Sequence, residues 1–236
     1  MIEEYRLPDG RTVKETLLDM QADSNKEFAA RLNPGIENVL GLRIPQLRKL
    51  AKIIARHHYE QYLSAPGDFY MEERMLHGMV LGEIDVDDID GYLQRVAVFV
   101  RSINSWSVCD TFDFKGKRRL VERYPSLIRQ WLLQWLDSDR EYEVRFAVVM
   151  LMKYFIGPGN PSDFLQLMAG VKHRGYYVSM AVAWGIATAM AKYPDDTIAW
   201  LAGNPVDRPT MKRAIQKSLE SFRISAEHKA ILRSYR

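Results

Sequence analysis

Trp106 and Asp110 lie four residues apart in Ser102-Ile-Asn-Ser-Trp-Ser-Val-Cys-Asp110, so on a helix the indole and the carboxylate share one face. Arg145 follows in Glu141-Tyr-Glu-Val-Arg145, and Trp184 in Ala181-Val-Ala-Trp-Gly185. An ionised carboxylate can stabilise a developing positive charge, an indole can lay its π-face against a cation, and a guanidinium can anchor an anion. Plainer roles are open to each. A tryptophan at helical spacing usually packs in a core, and an aspartate usually caps a helix or faces water. Arg145 has Glu141 and Asp139 in reach for a salt bridge, and the small neighbours of Trp184 serve helix packing as well as ligand approach.

A register ties these positions together. Arg74, Asp110, Arg145 and Arg213 recur at steps of 36, 35 and 68 residues, the last being two shorter steps. A period of about 33 to 47 residues is that of stacked helix pairs, in which one face of every second helix lines a continuous inner surface. Polar residues in register on that surface are candidates for a common ligand.

The elements that would position them are helical almost throughout, with apolar residues at three- and four-residue spacings and no strand-type alternation. Helix starts are read at Pro45, at Asp68 before Phe69, at Asp87-Asp88 before Ile89, at Pro125-Ser126 and at Pro161-Ser162. Breaks are read at Pro34-Gly35, Pro66-Gly67, Gly157-Pro158-Gly159, Gly175 and Gly203-Asn204-Pro205. The second members of the pairs are expected at 70–83, 105–114, 141–155, 177–193 and 208–222. With no tetratricopeptide or ankyrin signature, the expectation is an all-α, HEAT-like solenoid with degenerate repeats, a single domain over residues 1–236.

With 47% hydrophobic residues in 236, the chain can bury a substantial core. Its longest apolar runs are too short or too rich in Ala and Gly to span a bilayer, and the acidic start (Glu3, Glu4) is unlike a signal peptide, so a cytoplasmic location is expected. The single Cys109 excludes an internal disulfide framework, and His57, His58, His77, His173 and His228 show no ligand spacing, so no metal is expected. The net charge of +3 is unevenly spread. Residues 42–58, 115–123 and the last thirty are basic, whereas Glu72 to Asp90 holds seven carboxylates against Arg74 alone, which is the pattern of a basic and an acidic side or of ordinary solvated helix faces.

The run Ser102-Ile-Asn-Ser-Trp-Ser-Val-Cys-Asp110, then Val144-Arg-Phe-Ala147, then Ala183-Trp184, resembles the AlkD-like DNA alkylation repair family, HEAT-like DNA glycosylases and their relatives. The similarity extends from Gly41-Leu-Arg-Ile-Pro45 to Lys212-Arg-Ala-Ile-Gln216. It implies a right-handed superhelical solenoid with a concave, DNA-facing groove. In active members a Trp and an Asp at this spacing, an Arg one repeat later and a further Trp form the site that removes alkylated purines, and the resemblance carries those roles onto Trp106, Asp110, Arg145 and Trp184.

The implied activity is that of a monofunctional alkylpurine DNA glycosylase, a hydrolase without cofactor or metal, acting on alkylated or distorted double-stranded DNA. A purine alkylated at N3 or N7 carries positive charge and leaves as a neutral base, so the enzyme need only favour the oxocarbenium sugar. Asp110 would stabilise that cation and position water, the two indoles would contact nucleotide and sugar, and Arg145 would anchor a phosphate. Arg43, Arg48, Lys115, Lys117, Arg118, Lys212 and Arg213 would hold the duplex backbone without reading sequence. By the same resemblance, the tyrosine that glycosylase members carry on an N-terminal helix is expected to correspond to Leu32 here, and the N-terminal region reads as abbreviated. That departure favours the alternatives: a non-catalytic HEAT-like module for distorted or branched DNA, or a protein-interaction scaffold.

Overall fold

The computed structural model describes residues 4–23, 25–116, 118–157, 161–203 and 205–235; Lys117, Pro158, Gly159 and Asn204 lie outside them. Among the described residues the fold is all-α, with no strand beyond an isolated bridge between Arg6 and Thr12. No helix among them is long and apolar enough to cross a membrane. The chain falls into two compact units, Met1–Arg123 and Tyr124–Arg236.

The first unit holds α1 (Val13–Asp19), α2 (Lys26–Leu32), α3 (Ile44–Ala55), α4 (Tyr59–Ser64), α5 (Met71–Leu81), α6 (Ile89–Ser102), α7 (Trp106–Asp110) and α8 (Arg118–Arg123). Helix α5 is its centre. Every residue of α5 except Arg74 is buried, as expected of a helix apolar on nearly all sides, and α3, α6 and α7 pack around it. Gly78 makes the α6 contact possible: a Cβ there would come within 2.5 Å of the Phe99 ring. Phe99 in turn stacks on Phe112, centroids 5.4 Å apart.

The acidic segment is not simply a solvated face. Glu72 is buried, and its carboxylate accepts from three successive amides, Leu40 N at 3.0 Å, Gly41 N at 2.7 Å and Leu42 N at 3.3 Å. Glu73, also buried, reaches back to Tyr70 N at 2.8 Å and closes the start of α5. Asp68 therefore does not open a helix as its position before Phe69 suggested; it pairs with Arg74 at 3.3 Å. Asp88 does open α6, accepting from Asp90 N and Gly91 N. The expected helix over 105–114 stops at Asp110, because the Thr111 hydroxyl turns back to the Ser107 and Val108 carbonyls while Phe112 and Phe114 fold into the core.

His77 sits on α5 edge-on to Phe99. Burial, reinforced by the Arg74 charge, pushes its imidazole down from 6.5 to about 4. Unfolded, the ring binds a proton below about pH 6.5; folded, it does so only near pH 4, so stability is full above this window and is lost as pH falls through it. The loss amounts to about 3 kcal/mol at 1.36 kcal/mol per pH unit. In urea unfolding at about pH 7.5 and about pH 4.5, His77→Leu is expected to show a smaller acid destabilisation than wild type by that order; equal pH dependence would refute the assignment.

The second unit holds α9 (Pro125–Gln134), α10 (Glu141–Tyr154), α11 (Ser162–Gly170), α12 (Tyr176–Lys192), α13 (Pro194–Leu201), α14 (Arg208–Glu220) and α15 (Ala226–Arg233). Its core is α12, which packs against α10, α11, α13 and α14. Gly185 of α12 leaves room for the Phe164 ring of α11, which a Cβ would meet at 2.9 Å. The helices α5, α10, α12 and α14 fall within about two residues of the expected second members. Prolines open α3, α9, α13 and α14 in the first turn, where a missing N–H costs no hydrogen bond.

Candidate functional site

In the first unit, Trp106 and Asp110 are the first and last residues of the five-residue α7. So short a helix does not hold itself together, and its surroundings fix it. The Ser105 hydroxyl caps it, accepting from Val108 N at 3.2 Å, and Val108 and Cys109 are wholly buried. Cys109 is thus a small core residue. With those two side chains pointing inward, the Trp106 and Asp110 side chains are left at the boundary, each half-buried. At the far end, Arg48 of α3 donates to the Thr111 carbonyl at 3.2 Å and pairs with Asp113 at 3.3 Å.

The Trp106 indole N–H donates to the Leu32 carbonyl at 2.8 Å. Leu32 ends α2, where carbonyls lack an intrahelical partner, so the indole serves as a cap as well as offering a π-face. The Leu32 side chain is 44% exposed. Leu32, where the sequence resemblance expects a tyrosine, is therefore in direct contact with Trp106.

In the second unit, Arg145 is buried, 5% exposed, and donates to the Tyr177 carbonyl at 2.7 Å. Glu141, one turn earlier on α10, accepts from Tyr177 N at 2.6 Å. The two side chains clamp both backbone groups of one residue at the start of α12. Trp184 is half-buried on α12, where the Thr188 hydroxyl donates to its carbonyl at 2.9 Å. Arg213 donates to Ser179 Oγ at 2.9 Å and stands over the Tyr176 ring, 5.4 Å from the centroid.

The sequence register thus carries a structural device as well as candidate ligand groups. Arg74 of α5 donates to the Ser102 carbonyl at 2.9 Å, as Arg145 does to Tyr177, so two of the recurring arginines tie one helix to the backbone of another. Spacing alone does not reveal this, because the acceptors are carbonyls, which every residue carries.

Of the remaining basic residues, Arg43, Arg118 and Lys212 are exposed. Lys115 is half-buried, bonded to the Glu83 carbonyl and paired with Asp85 at 3.1 Å. Lys117 lies outside the described residues. The partners of Arg213, namely Ser179 and Tyr176, carry no motif in the sequence and are identified by the fold alone.

No curated protein matches this chain. The profile of a family described as DNA alkylation repair enzyme matches residues 13–218, nearly the whole length, including α7, Arg145, Trp184 and Arg213. The chain therefore belongs to the DNA alkylation repair enzyme family.

Proposed function

We propose that the protein is a DNA glycosylase that excises cationic N3- or N7-alkylated purines by hydrolysis of the N-glycosidic bond. The observation that carries this reading is α7: a carboxylate and an indole, four residues apart, half-buried at the boundary of a short, Ser105-capped helix in a chain of the alkylation repair family. Asp110 stabilises the developing positive charge on the sugar and orients water, and the exposed part of the Trp106 ring contacts the cationic nucleotide. In the second unit the reading assigns nucleotide contact to Trp184 and phosphate contact to Lys212 and Arg213. Arg145, bonded to the Tyr177 carbonyl, contributes by positioning the start of α12.

A second reading, a non-catalytic module for distorted or branched DNA, draws on two observations. The Trp106 N–H is taken by Leu32, and Arg145 is buried rather than presented to a phosphate. The two readings separate in one assay. The glycosylase releases free 7-methylguanine or 3-methyladenine from alkylated duplex DNA, and its affinity falls steeply with salt, with a log–log slope of about −0.9 per phosphate neutralised. Salt-dependent binding without base release would favour the module, and binding indifferent to salt would exclude both in favour of a protein scaffold.

A further inference from the structure

The second unit contains a cavity of about 460 Å³ between the end of α11, the first turns of α12 and the start of α14. This is within the range of sites that enclose a small organic ligand. Its wall is in part aliphatic, from Met168, Val171, Val182 and Val206. The remainder is polar and connected. Arg213 donates to Ser179 Oγ at 2.9 Å, Ser179 and Thr210 share a hydroxyl–hydroxyl bond of 2.7 Å, and Thr210 Oγ1 donates to Asp207 at 2.8 Å.

Among the described residues Asp207 is the one carboxylate on this lining, and it is already used. It caps α14 through Thr210 N at 3.0 Å and faces Arg174 at 3.4 Å. Two guanidinium groups therefore outweigh one engaged carboxylate, and the lining is net positive. Arg213 is held in place from two sides, by the Tyr176 ring and by Ser179, through a single guanidinium nitrogen. Among the described residues its other N–H groups have no partner, and Arg174 engages only Asp207 while its side chain is 71% exposed. A planar donor fork fixed beforehand is suited to a phosphate, which offers more acceptors than a carboxylate and rewards a bidentate contact. The aliphatic wall and the exposed Tyr176 ring add room for an apolar or planar body attached to it.

We propose that this cavity binds a nucleotide: its phosphate on Arg213 and Arg174, and its base against the aliphatic wall and Tyr176. The ligand is either a free mononucleotide or a terminal nucleotide of a DNA strand. Arg213 is the only residue shared with the duplex-binding set above, and neither Asp110 nor an alkylated base takes part, so this site stands or falls apart from the glycosylase reading.

Isothermal titration of the full chain with 2′-deoxyadenosine 5′-monophosphate tests it, beside deoxyadenosine, inorganic phosphate, and a short single strand with and without a 5′-phosphate. The mononucleotide is expected to bind one to one, at least about tenfold tighter than either of its halves. Arg213→Ala and Val182→Phe, the latter filling the cavity, are each expected to weaken binding by about tenfold or more. Arg174→Ala changes an exposed side chain without touching packing, and is expected to weaken binding even if the other variants melt early. Preference for the 5′-phosphorylated strand over both the free mononucleotide and the unphosphorylated strand would identify a strand terminus as the ligand and support the site. Absence of binding by both the mononucleotide and the 5′-phosphorylated strand at millimolar concentration, or affinity unchanged in both Arg174→Ala and Arg213→Ala proteins of normal melting temperature, would overturn it, as would inorganic phosphate binding as tightly as whichever nucleotide ligand binds.

Discussion

Asp110→Asn is expected to reduce the release of 7-methylguanine from alkylated duplex DNA by about 10²- to 10³-fold, the usual cost of removing one preorganised electrostatic group from a transition state. The substitution keeps the shape of the side chain and removes only its charge. Helix α7 is held by the Ser105 cap and by the wholly buried Val108 and Cys109, none of which the change touches, so the fold and melting temperature should be retained. DNA affinity should also be retained, because the proposed reading places it on phosphate contacts by arginine and lysine rather than on a carboxylate. The departing base in this reaction already carries the charge that breaks its bond, so no general acid can substitute for the lost anion. A single-turnover comparison of base release, with binding measured in parallel, isolates the effect. Base release at the wild-type rate by the Asn protein would remove Asp110 from the mechanism.

Glu72→Ala is expected to destabilise the protein by about 3 kcal/mol or more, since three buried amides lose their acceptor and each unsatisfied donor costs about 1–3 kcal/mol. The effect is concentrated in one place. Glu72 gathers the N–H groups of Leu40, Gly41 and Leu42, and the Gly41 carbonyl accepts from Asn25 N at 3.2 Å, so the segment leading into α3 hangs on this carboxylate. Gly41 is held at φ +78°, and a Cβ there would fall 2.5 Å from the Lys26 backbone; Gly41→Ala is incompatible with this path for two independent reasons. Glu72→Gln, which keeps one acceptor oxygen, should fall between wild type and Ala in urea midpoint. The order Glu, Gln, Ala checks the account, and a Gln protein no more stable than the Ala protein would contradict it.

Most of the helical architecture was legible in the chain itself. Proline in a first turn, a capping aspartate such as Asp88, and apolar residues at three- and four-residue spacings act over a few residues, so α3, α6, α9, α10, α12 and α14 follow from local chemistry. The departures from local expectation have a common origin. The spacing of apolar residues predicts a helix over 105–114 because it continues through Phe112 and Phe114, but their destination is a core packed against Phe99 of another helix. Asp68 before Phe69 predicts a cap, whereas the contact that closes this helix start, Glu73 reaching back to Tyr70, is set by burial around α5.

For the candidate site, the amino-acid order by itself determined which side chains are present and that Trp106 and Asp110 share one helical face, since a four-residue spacing has that meaning on any helix. It determined family membership as well, through a pattern spread over residues 13–218. Only the tertiary structure decided that the Trp106 N–H is engaged by Leu32, that Arg145 is buried on the Tyr177 carbonyl, and that Arg213 is held between Ser179 and Tyr176. Those contacts join residues 74, 32 and 34 positions apart, two of them through backbone carbonyls that leave no trace in residue type. Periodicity reports which way a side chain points from its own helix; what it meets there depends on how the helices pack.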